Sequence, residues 1–495
     1  MKPVFSRDFF SRNRGLILAA LAFSALYLLF FPPMYTAIDE HEYAKNAMLL
    51  SQGKLFDANP LDYCGGTVQN GSYRSTYPLG KSLFLIPFLP LGLAGLFLAG
   101  LLVHLLNFGI FALILKRLKT DPALAILYLF FPAFVWSSRT LYPELLVLTG
   151  TLAGLFFYLG NTKKDGLLCG IFFGLATAVR YDAAFLFAGF AVVSLFRNRL
   201  RLIWTLLGAG IVGILILAAN AALYGGPLNT PYGYDAIHFV ANQNPAILSN
   251  LPLLALILLL AYPLMLAAPL INRKKFGIEV FFSALIVLYL VSRNSNIAVF
   301  EFFSPLTFTG RMRYLIPIAG LLLVPYAVLV GDYLNRLTEK IKNREAFITR
   351  LFWIAGIVLL LATVALSFAH QDLLQKRATV REQLFANTPE NALVIGSSDD
   401  CIYFLKGVFS NRQYYKVDSN WSNPKAVADE SDRPVYVMKL LHSNQSDSAI
   451  RQGVIDKERA AIDPFILQNK DRLNLIFETE NPHFLKIFEY RKDSK

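Results

Sequence analysis

Up to about residue 370 the chain consists of long apolar runs separated by short polar connections, and beyond that point it becomes ordinary soluble sequence. A helix needs about 20 apolar residues to cross a bilayer, and the pattern offers eleven candidate spans. They are Gly15 to Pro33, Leu93 to Leu115, Pro122 to Ser138, Leu141 to Gly160, Leu167 to Val179, Ala183 to Phe196, Leu202 to Leu223, Leu251 to Ile271, Phe276 to Val291, Tyr314 to Leu334 and Leu351 to Ala369. The first follows Lys2, Arg7, Arg12 and Arg14 as a signal peptide would. It is long for one and lacks a small-residue cleavage site, so it reads as an uncleaved span. The pattern therefore predicts an α-helical polytopic membrane protein with about eleven transmembrane helices and a small C-terminal α/β domain.

The domain division that follows is a transmembrane domain over 1–370 and an extracytoplasmic domain over 371–495. Within the first outer loop, 34–81, Ile38 to Gln52 has helical character. Thr36 is placed to cap it, Asp39, Glu40 and Glu42 lie in its first turns, and Gly53 stops it. Its apolar residues Ala44, Ala47, Met48 and Leu50 suggest an amphipathic helix on the membrane surface. After residue 370, strand-like runs fall at Ala392 to Gly396, Gln413 to Val417, Val435 to Leu440, Leu473 to Glu478 and Phe484 to Tyr490. Helix-like stretches at Asp399 to Phe409 and Pro424 to Asp429 separate the early ones.

Composition agrees with a membrane setting, with 55% of residues hydrophobic and 16% charged against about 25% charged in soluble domains. The net charge of +13 does not imply nucleic acid, because the basic residues sit in short groups between spans. With the N-terminus inside, the cytoplasmic connections hold 20 basic residues and the outer ones before residue 370 hold nine, which fixes the orientation by the positive-inside rule. An odd number of spans then puts the C-terminal domain outside. The hinge of this count is Arg180-Tyr181-Asp182, which divides Leu167 to Phe196 into two short stretches. Basic residues at both ends favour a hairpin there, whereas one long helix would reverse everything downstream. Of the three cysteines, Cys64 and Cys401 both fall outside and have the option of bridging, although free thiols are the expected state; Cys169 lies within a span.

Ionisable groups at a membrane are costly and mark function by default. Here they gather on the outer side: Asp39, Glu40, Glu42, Glu144, Asp182, Asp235 and Glu301, with Arg74, Lys81, Arg139, Arg180, Arg311 and Arg313. Carboxylates beside cations suit a substrate with a hydroxyl to deprotonate and a phosphate to neutralise, since the Arg fork binds two oxygens at once.

These residues also carry a family likeness. Thr36-Ala-Ile-Asp-Glu-His-Glu-Tyr43 resembles the Asp-Glu-x-x-Tyr element of the GT-C superfamily of membrane glycosyltransferases, near the protein O-mannosyltransferases and lipid A aminoarabinose transferases. Tyr77-Pro-Leu-Gly80 leading to Leu85-Ile-Pro87 resembles the family's Tyr-Pro-Pro-Gly loop, with Leu79 in place of the second proline. Arg139-Thr-Leu-Tyr-Pro-Glu144 resembles the Arg/Pro-Glu start of the fourth span, and Gly174-Leu-Ala-Thr-Ala-Val-Arg180 the Gly-Leu-Ala turn after it. Arg313-Tyr314 with Pro317 resembles an Arg-Tyr-x-x-Pro start of a late span. The likeness covers residues 1 to 335.

The resemblance implies transfer of a hexose or pentose from a polyprenyl-phosphate donor to a hydroxyl of a lipid, glycan or protein, at the outer face of the membrane; the compact loops and the lack of a retention or targeting signal point to a bacterial or archaeal plasma membrane. Asp39 would be the general base. Glu40 would position the acceptor or hold a divalent metal ion, if one takes part; no other cofactor is implied. One base with direct attack predicts inversion. Arg180, Arg74, Lys81 and Arg139 would neutralise the leaving phosphate, followed by Arg311 and Arg313, with Tyr77, Glu144 and Asp182 as further substrate contacts.

Each assignment has a structural alternative. Asp39 and Glu40 also suit a helix N-terminus, Arg180 and Asp182 an ion pair, and Arg311 and Arg313 interfacial anchors, as do Lys45 and Lys54. His104, alone within a span, reads as a hydrogen-bonded core residue. A membrane transporter of a lipid-linked or anionic substrate is the competing function, but it would show repeated halves. An assembly protein anchored by its spans would not need eleven.

Overall fold

The computed structural model describes residues 14–57, 67–69, 72–230, most of 251–272, 276–294, 313–338, 344–404, 411–417, 423–441, 462–482 and 484–492. The chain is mostly helical. Among the described residues, four helical segments have the length and composition to cross a membrane: Leu79–Arg117, Arg199–Tyr224, Arg313–Arg336 and Gly356–Ala386. Arg14–Leu29, Glu144–Tyr158 and Ile278–Val291 are shorter apolar helices. The chain divides into two compact units, one of residues 1–31, 78–81 and 97–370, the other of residues 32–77, 82–96 and 371–495.

In the first unit, the expected span Pro122 to Ser138 is not one helix. It is a 3-10 turn Pro122–Ala125, a short helix Ile126–Leu129 and a second helix Pro132–Ser138. Pro132 supplies no N–H, so the backbone cannot run through Phe130 and Phe131 as a regular helix. Carbonyls released by such a break must find donors inside a membrane protein. They do: Tyr262 Oη donates to Leu127 O at 2.9 Å, His104 Nε2 lies 2.9 Å from Leu129 O, and Thr363 Oγ1 donates to Phe130 O at 3.1 Å. His104 is thus a hydrogen-bonded core residue.

The run Leu167 to Phe196 is a hairpin. Helices Lys163–Val179 and Ala184–Arg197 are separated by Arg180, in extended conformation (φ −149°, ψ 127°), and a 3-10 turn at Tyr181–Ala183. Phe173 packs on both Phe187 and Phe190 across the hairpin. Against Arg199–Tyr224, the first of these helices presents Gly166, Gly170 and Gly174, one turn apart. A Cβ on Gly170 would strike the Thr205 carbonyl, and one on Gly208 would strike that of Leu167. Small residues let the two backbones touch, which is how helices associate where lipid removes any hydrophobic drive.

The second unit contains a five-stranded mixed sheet and the helix of the first loop. Its strands are β3 (Leu393–Gly396), β4 (Gln413–Lys416), β5 (Val435–Leu441), β6 (Leu473–Thr479) and β7 (Phe484–Tyr490), in the order β4-β3-β5-β7-β6. β3 runs parallel to β4 and β5, whereas β7 is antiparallel to β5 and β6. Leu393, Ile395, Val435, Val437, Phe465 and Tyr490 form its core. All five strands fall within or beside the strand-like runs of the sequence. A separate hairpin pairs β1 (Thr67–Gln69) with β2 (Ser72–Arg74). The helix Ile38–Ser51 ends before Gly53, whose φ of +70° suits glycine.

Substituting Gly170→Leu should wedge the two contacting helices apart. The expected cost is about 1–3 kcal/mol, the usual penalty for overpacking, read as a lower thermal midpoint of the detergent-solubilised protein, with Gly210→Leu, where a Cβ meets nothing within 4 Å, unchanged.

Candidate active site

The acidic helix start belongs to the second unit. Ala37 is the N-cap, in extended conformation (φ −155°, ψ 169°), so Thr36 precedes the cap instead of forming it. Having no side-chain oxygen, Ala37 leaves the capping to Glu40, whose Oε1 accepts the N–H groups of Thr36 (2.8 Å) and Ala37 (3.1 Å). Glu42 is likewise buried, and accepts Thr76 N (2.6 Å) and Thr76 Oγ1 (2.9 Å). Asp39 alone of the three is partly exposed. The helix is not amphipathic: Glu40, His41, Glu42, Tyr43, Ala44, Lys45, Asn46 and Ala47 are all buried, so protein surrounds its polar residues along with Ala44 and Ala47, while Met48 and Leu50, also expected on a membrane surface, are half-buried. Lys45 is no interfacial anchor but faces Asp57 at 4.0 Å.

The loop bearing Tyr77 is fastened to the same helix. Asn46 Nδ2 donates to Ser75 Oγ (2.5 Å), Ser75 Oγ donates to Tyr77 O and accepts Tyr77 N (both 2.9 Å), and Ser82 Oγ donates to Tyr43 O (3.1 Å). The rings of Tyr43 and Tyr77 lie 4.8 Å apart. Arg74, at the end of β2, places its guanidinium 5.9 Å from the Phe56 ring centre.

The first unit holds the charged cluster. Arg180 binds Asp182 with two parallel bonds, Nε to Oδ1 (3.0 Å) and Nη2 to Oδ2 (2.8 Å), and binds Glu144 through Nη1 (2.8 Å). Glu144 is 1% exposed; a carboxylate so deep requires a partner, and the guanidinium fork supplies it. Arg180 also lies 5.6 Å from the Tyr314 ring centre. Arg313 stands 4.2 Å over Tyr142 and 4.7 Å over Tyr314, and its Nη2 donates to Tyr314 Oη at 2.6 Å. Three sequence motifs thus converge on one cluster. A fourth approaches by its backbone: a Cβ on Gly80 would lie 2.5 Å from Ala178 O, so Gly80 and the buried Lys81 pack where the helix before Arg180 ends.

Arg139 has different partners. Fully buried, its Nε and Nη2 donate to Phe30 O (3.1 and 2.7 Å), and Nη1 reaches Ser367 O (3.0 Å) and His370 Nδ1 (3.2 Å). Arg311, Asp235, Glu301 and Cys64 lie outside the described residues. Cys401 is disulfide-bonded, against the expectation of a free thiol, and Cys169 is the buried free cysteine. Among the described residues, no three metal-ligating side chains come together. Tyr142 and Tyr314 are site residues that sequence reasoning missed, although both stand inside motifs the sequence offers, Tyr314 next to Arg313 and Tyr142 two residues before Glu144.

No family model matches the chain, and no curated protein matches it. Solved structures do. ArnT from Cupriavidus metallidurans bound to undecaprenyl phosphate superposes with a TM-score of 0.64 at 11% identity, over 96% of this chain and 98% of that one. Its apo state gives 0.59 at 11% identity, over 97% and 98%. An oligosaccharyltransferase from Archaeoglobus fulgidus, tethered to an acceptor peptide containing the NVT sequon, gives 0.51 at 12% identity, over 99% of this chain and 75% of that one. At these identities the likeness is one of fold: this chain shares with both proteins a mostly helical architecture with apolar spans and a small C-terminal sheet.

One titration tests the packing of the acidic helix. Burial lowers His41 from 6.5 to about 3, with Lys45 adding to the effect and the Phe404 carbonyl, 2.8 Å from Nε2, opposing it. The folded state therefore refuses a proton that the unfolded chain takes up below pH 6.5, and stability should fall as pH drops through that window, by at most about 1.4 kcal/mol per unit. Thermal melts between pH 7 and 4.5 should show this fall, and His41→Gln, which retains an N–H donor without titrating, should flatten it.

Proposed function

We propose that this chain is a membrane glycosyltransferase moving a sugar from a polyprenyl-phosphate carrier to a hydroxyl acceptor at the outer face of a plasma membrane, with inversion. The observation that carries this reading is the convergence of Glu144, Arg180 and Arg313, from three separate motifs, with the neighbouring Asp182, on one cluster. It stands in a fold shared with a structure that binds undecaprenyl phosphate.

In this reading Asp39 takes the proton of the acceptor hydroxyl as that oxygen attacks the anomeric carbon. The bond from that carbon to the carrier oxygen breaks, and the electron pair leaves on the polyprenyl phosphate. Arg180, Arg313, Arg74 and Lys81 balance the charge that develops there. Glu144 and Asp182 aim Arg180, whose bonds to both leave its plane with little freedom. Glu40 fixes the start of the helix that presents Asp39. Arg139, tied to three acceptors on two distant segments, serves as a strut. The eleven-span topology, with the N-terminus cytoplasmic and the C-terminal domain outside, completes the reading, and the disulfide at Cys401 suits an oxidising outer compartment.

The test uses purified protein with undecaprenyl-phosphate-linked hexose and pentose donors and a panel of lipid, glycan and peptide acceptors. Asp39→Asn should lower kcat by about 10²–10⁴-fold, the range for loss of a positioned general base. Arg180→Ala should lower kcat and kcat/KM together, as removal of an interaction made in the transition state does. Full transfer by Asp39→Asn would remove Asp39 as base, and no transfer from any of these donors by the wild type would remove the enzyme itself.

A further inference from the structure

The backbone leading into the acidic helix is gripped from two directions. Glu40 takes the N–H groups of Thr36 and Ala37. The carbonyls of the same stretch are taken by the second unit's C-terminal segment: Arg377 Nη1 donates to Tyr35 O (3.2 Å) and Thr36 O (2.5 Å). Arg381, one turn further along the helix Arg344–Ala386 and hence on the same face, directs its Nη1 toward Pro33 O (3.5 Å) and Met34 Sδ (3.8 Å). From the other side, His41 Nε2 bonds Phe404 O (2.8 Å). Phe404 stacks on Tyr414 of β4 at 4.8 Å between ring centres and 19° between planes, and the Tyr414 hydroxyl donates to Ser397 O beyond the end of β3.

A helix start is where backbone donors and acceptors are unpaired and the chain most easily frays. Asp39, the second residue of its helix, depends on the order of that start. Both lines of contact lead into residues after 370, the stretch in which the sequence offered no catalytic motif. We propose that Arg377, seconded by Arg381 and the His41–Phe404 bond, is a positioning residue that holds the Asp39 carboxylate in register for proton abstraction, so that the C-terminal segment is a working part of the active site. The inference rests on Asp39 being the base. A guanidinium suits the task because both bonds leave one nitrogen, Nη1, whose two N–H groups are fixed in the guanidinium plane, whereas a lysine ammonium rotates freely. A displacement of about 1 Å at a reacting group costs up to about 10²-fold in rate.

The experiment compares wild type, Asp39→Asn, Arg377→Ala and Arg377→Lys as full-length protein in detergent. The donors are undecaprenyl-phosphate-linked hexose and pentose, with amide hydrogen exchange measured in parallel. For Arg377→Ala we expect kcat to fall at least tenfold with donor and acceptor KM within twofold. Exchange at Tyr35 to His41 should rise at least tenfold, while exchange in β3 and β5 is unchanged. Arg377→Lys should recover part of both. If the alanine protein does not fold, the lysine variant is read instead, with kcat lowered at least threefold at unchanged KM. Loss of transfer in Asp39→Asn together with kcat within twofold of wild type in Arg377→Ala, or in Arg377→Lys where that is the variant read, overturns the positioning role. Unimpaired transfer in Asp39→Asn overturns the base assignment instead, whatever Arg377 does.

Discussion

Inside a bilayer no water is present to pair a stray N–H or C=O, so every departure from a regular helix must be met by another part of the protein. Much of the first unit follows from that requirement. The break at Phe130 and Phe131 persists because Tyr262, His104 and Thr363 reach the released carbonyls from distant segments. Tyr27 does the same for Ser138 O (3.1 Å), the last carbonyl of the helix Pro132–Ser138, and its hydroxyl also donates to Phe97 O (2.7 Å) within the helix Gly92–Arg117. Polar side chains that look misplaced in an apolar run are the partners of main chain that cannot pair with itself.

Charge obeys the same accounting at both ends of one helix. Glu144–Tyr158 has 15 residues and is therefore about 22 Å long, shorter than a hydrocarbon core of about 30 Å. At its first residue Glu144 meets Arg180. At its last, Tyr158 donates to Glu279 (3.1 Å), which pairs with Arg197 (3.1 Å). Two buried carboxylates are thus each neutralised by an arginine from the same hairpin, Arg180 at its tip and Arg197 at its foot. The first pair is joined by a second carboxylate, a second arginine and two tyrosines; the second is joined by Tyr158, whose hydroxyl also lies 3.0 Å from Ser194 Oγ and whose ring carries the Arg201 guanidinium at 4.8 Å.

What could be read from the sequence was whatever is local. Short strand-like runs mark the strands, and basic residues flanking a short apolar run mark the hairpin. Motif order gave the residues of the charged cluster, since Glu144, Asp182 and Arg313 lie beside recognisable turns. Surroundings were not legible. Ile38–Ser51 looked amphipathic because Ala44, Ala47, Met48 and Leu50 share a side, yet the polar side is covered too, by Thr76 and Phe404, residues 34 and 363 positions from their partners on the helix. The break in Pro122 to Ser138 was hidden for the same reason: its donors lie elsewhere in the chain. At 11% identity, the likeness to ArnT lies in backbone geometry, which explains why whole-chain sequence comparison finds nothing.

Arg139 carries a consequence for how the protein is made. Its guanidinium is satisfied by Phe30 O, 109 residues before it, and by Ser367 O, 228 residues after it. Segments enter the membrane in the order of synthesis, so the first bond can form early while the second waits for the last long helix. Until then a buried cation lacks part of its coordination within a low-dielectric medium, a state that costs several kcal/mol. The nascent protein therefore holds its first helices together only provisionally. Arrival of the final helix closes the ring of contacts, which makes assembly of the helical unit an event of late biogenesis and leaves chains truncated before Ser367 exposed to quality control.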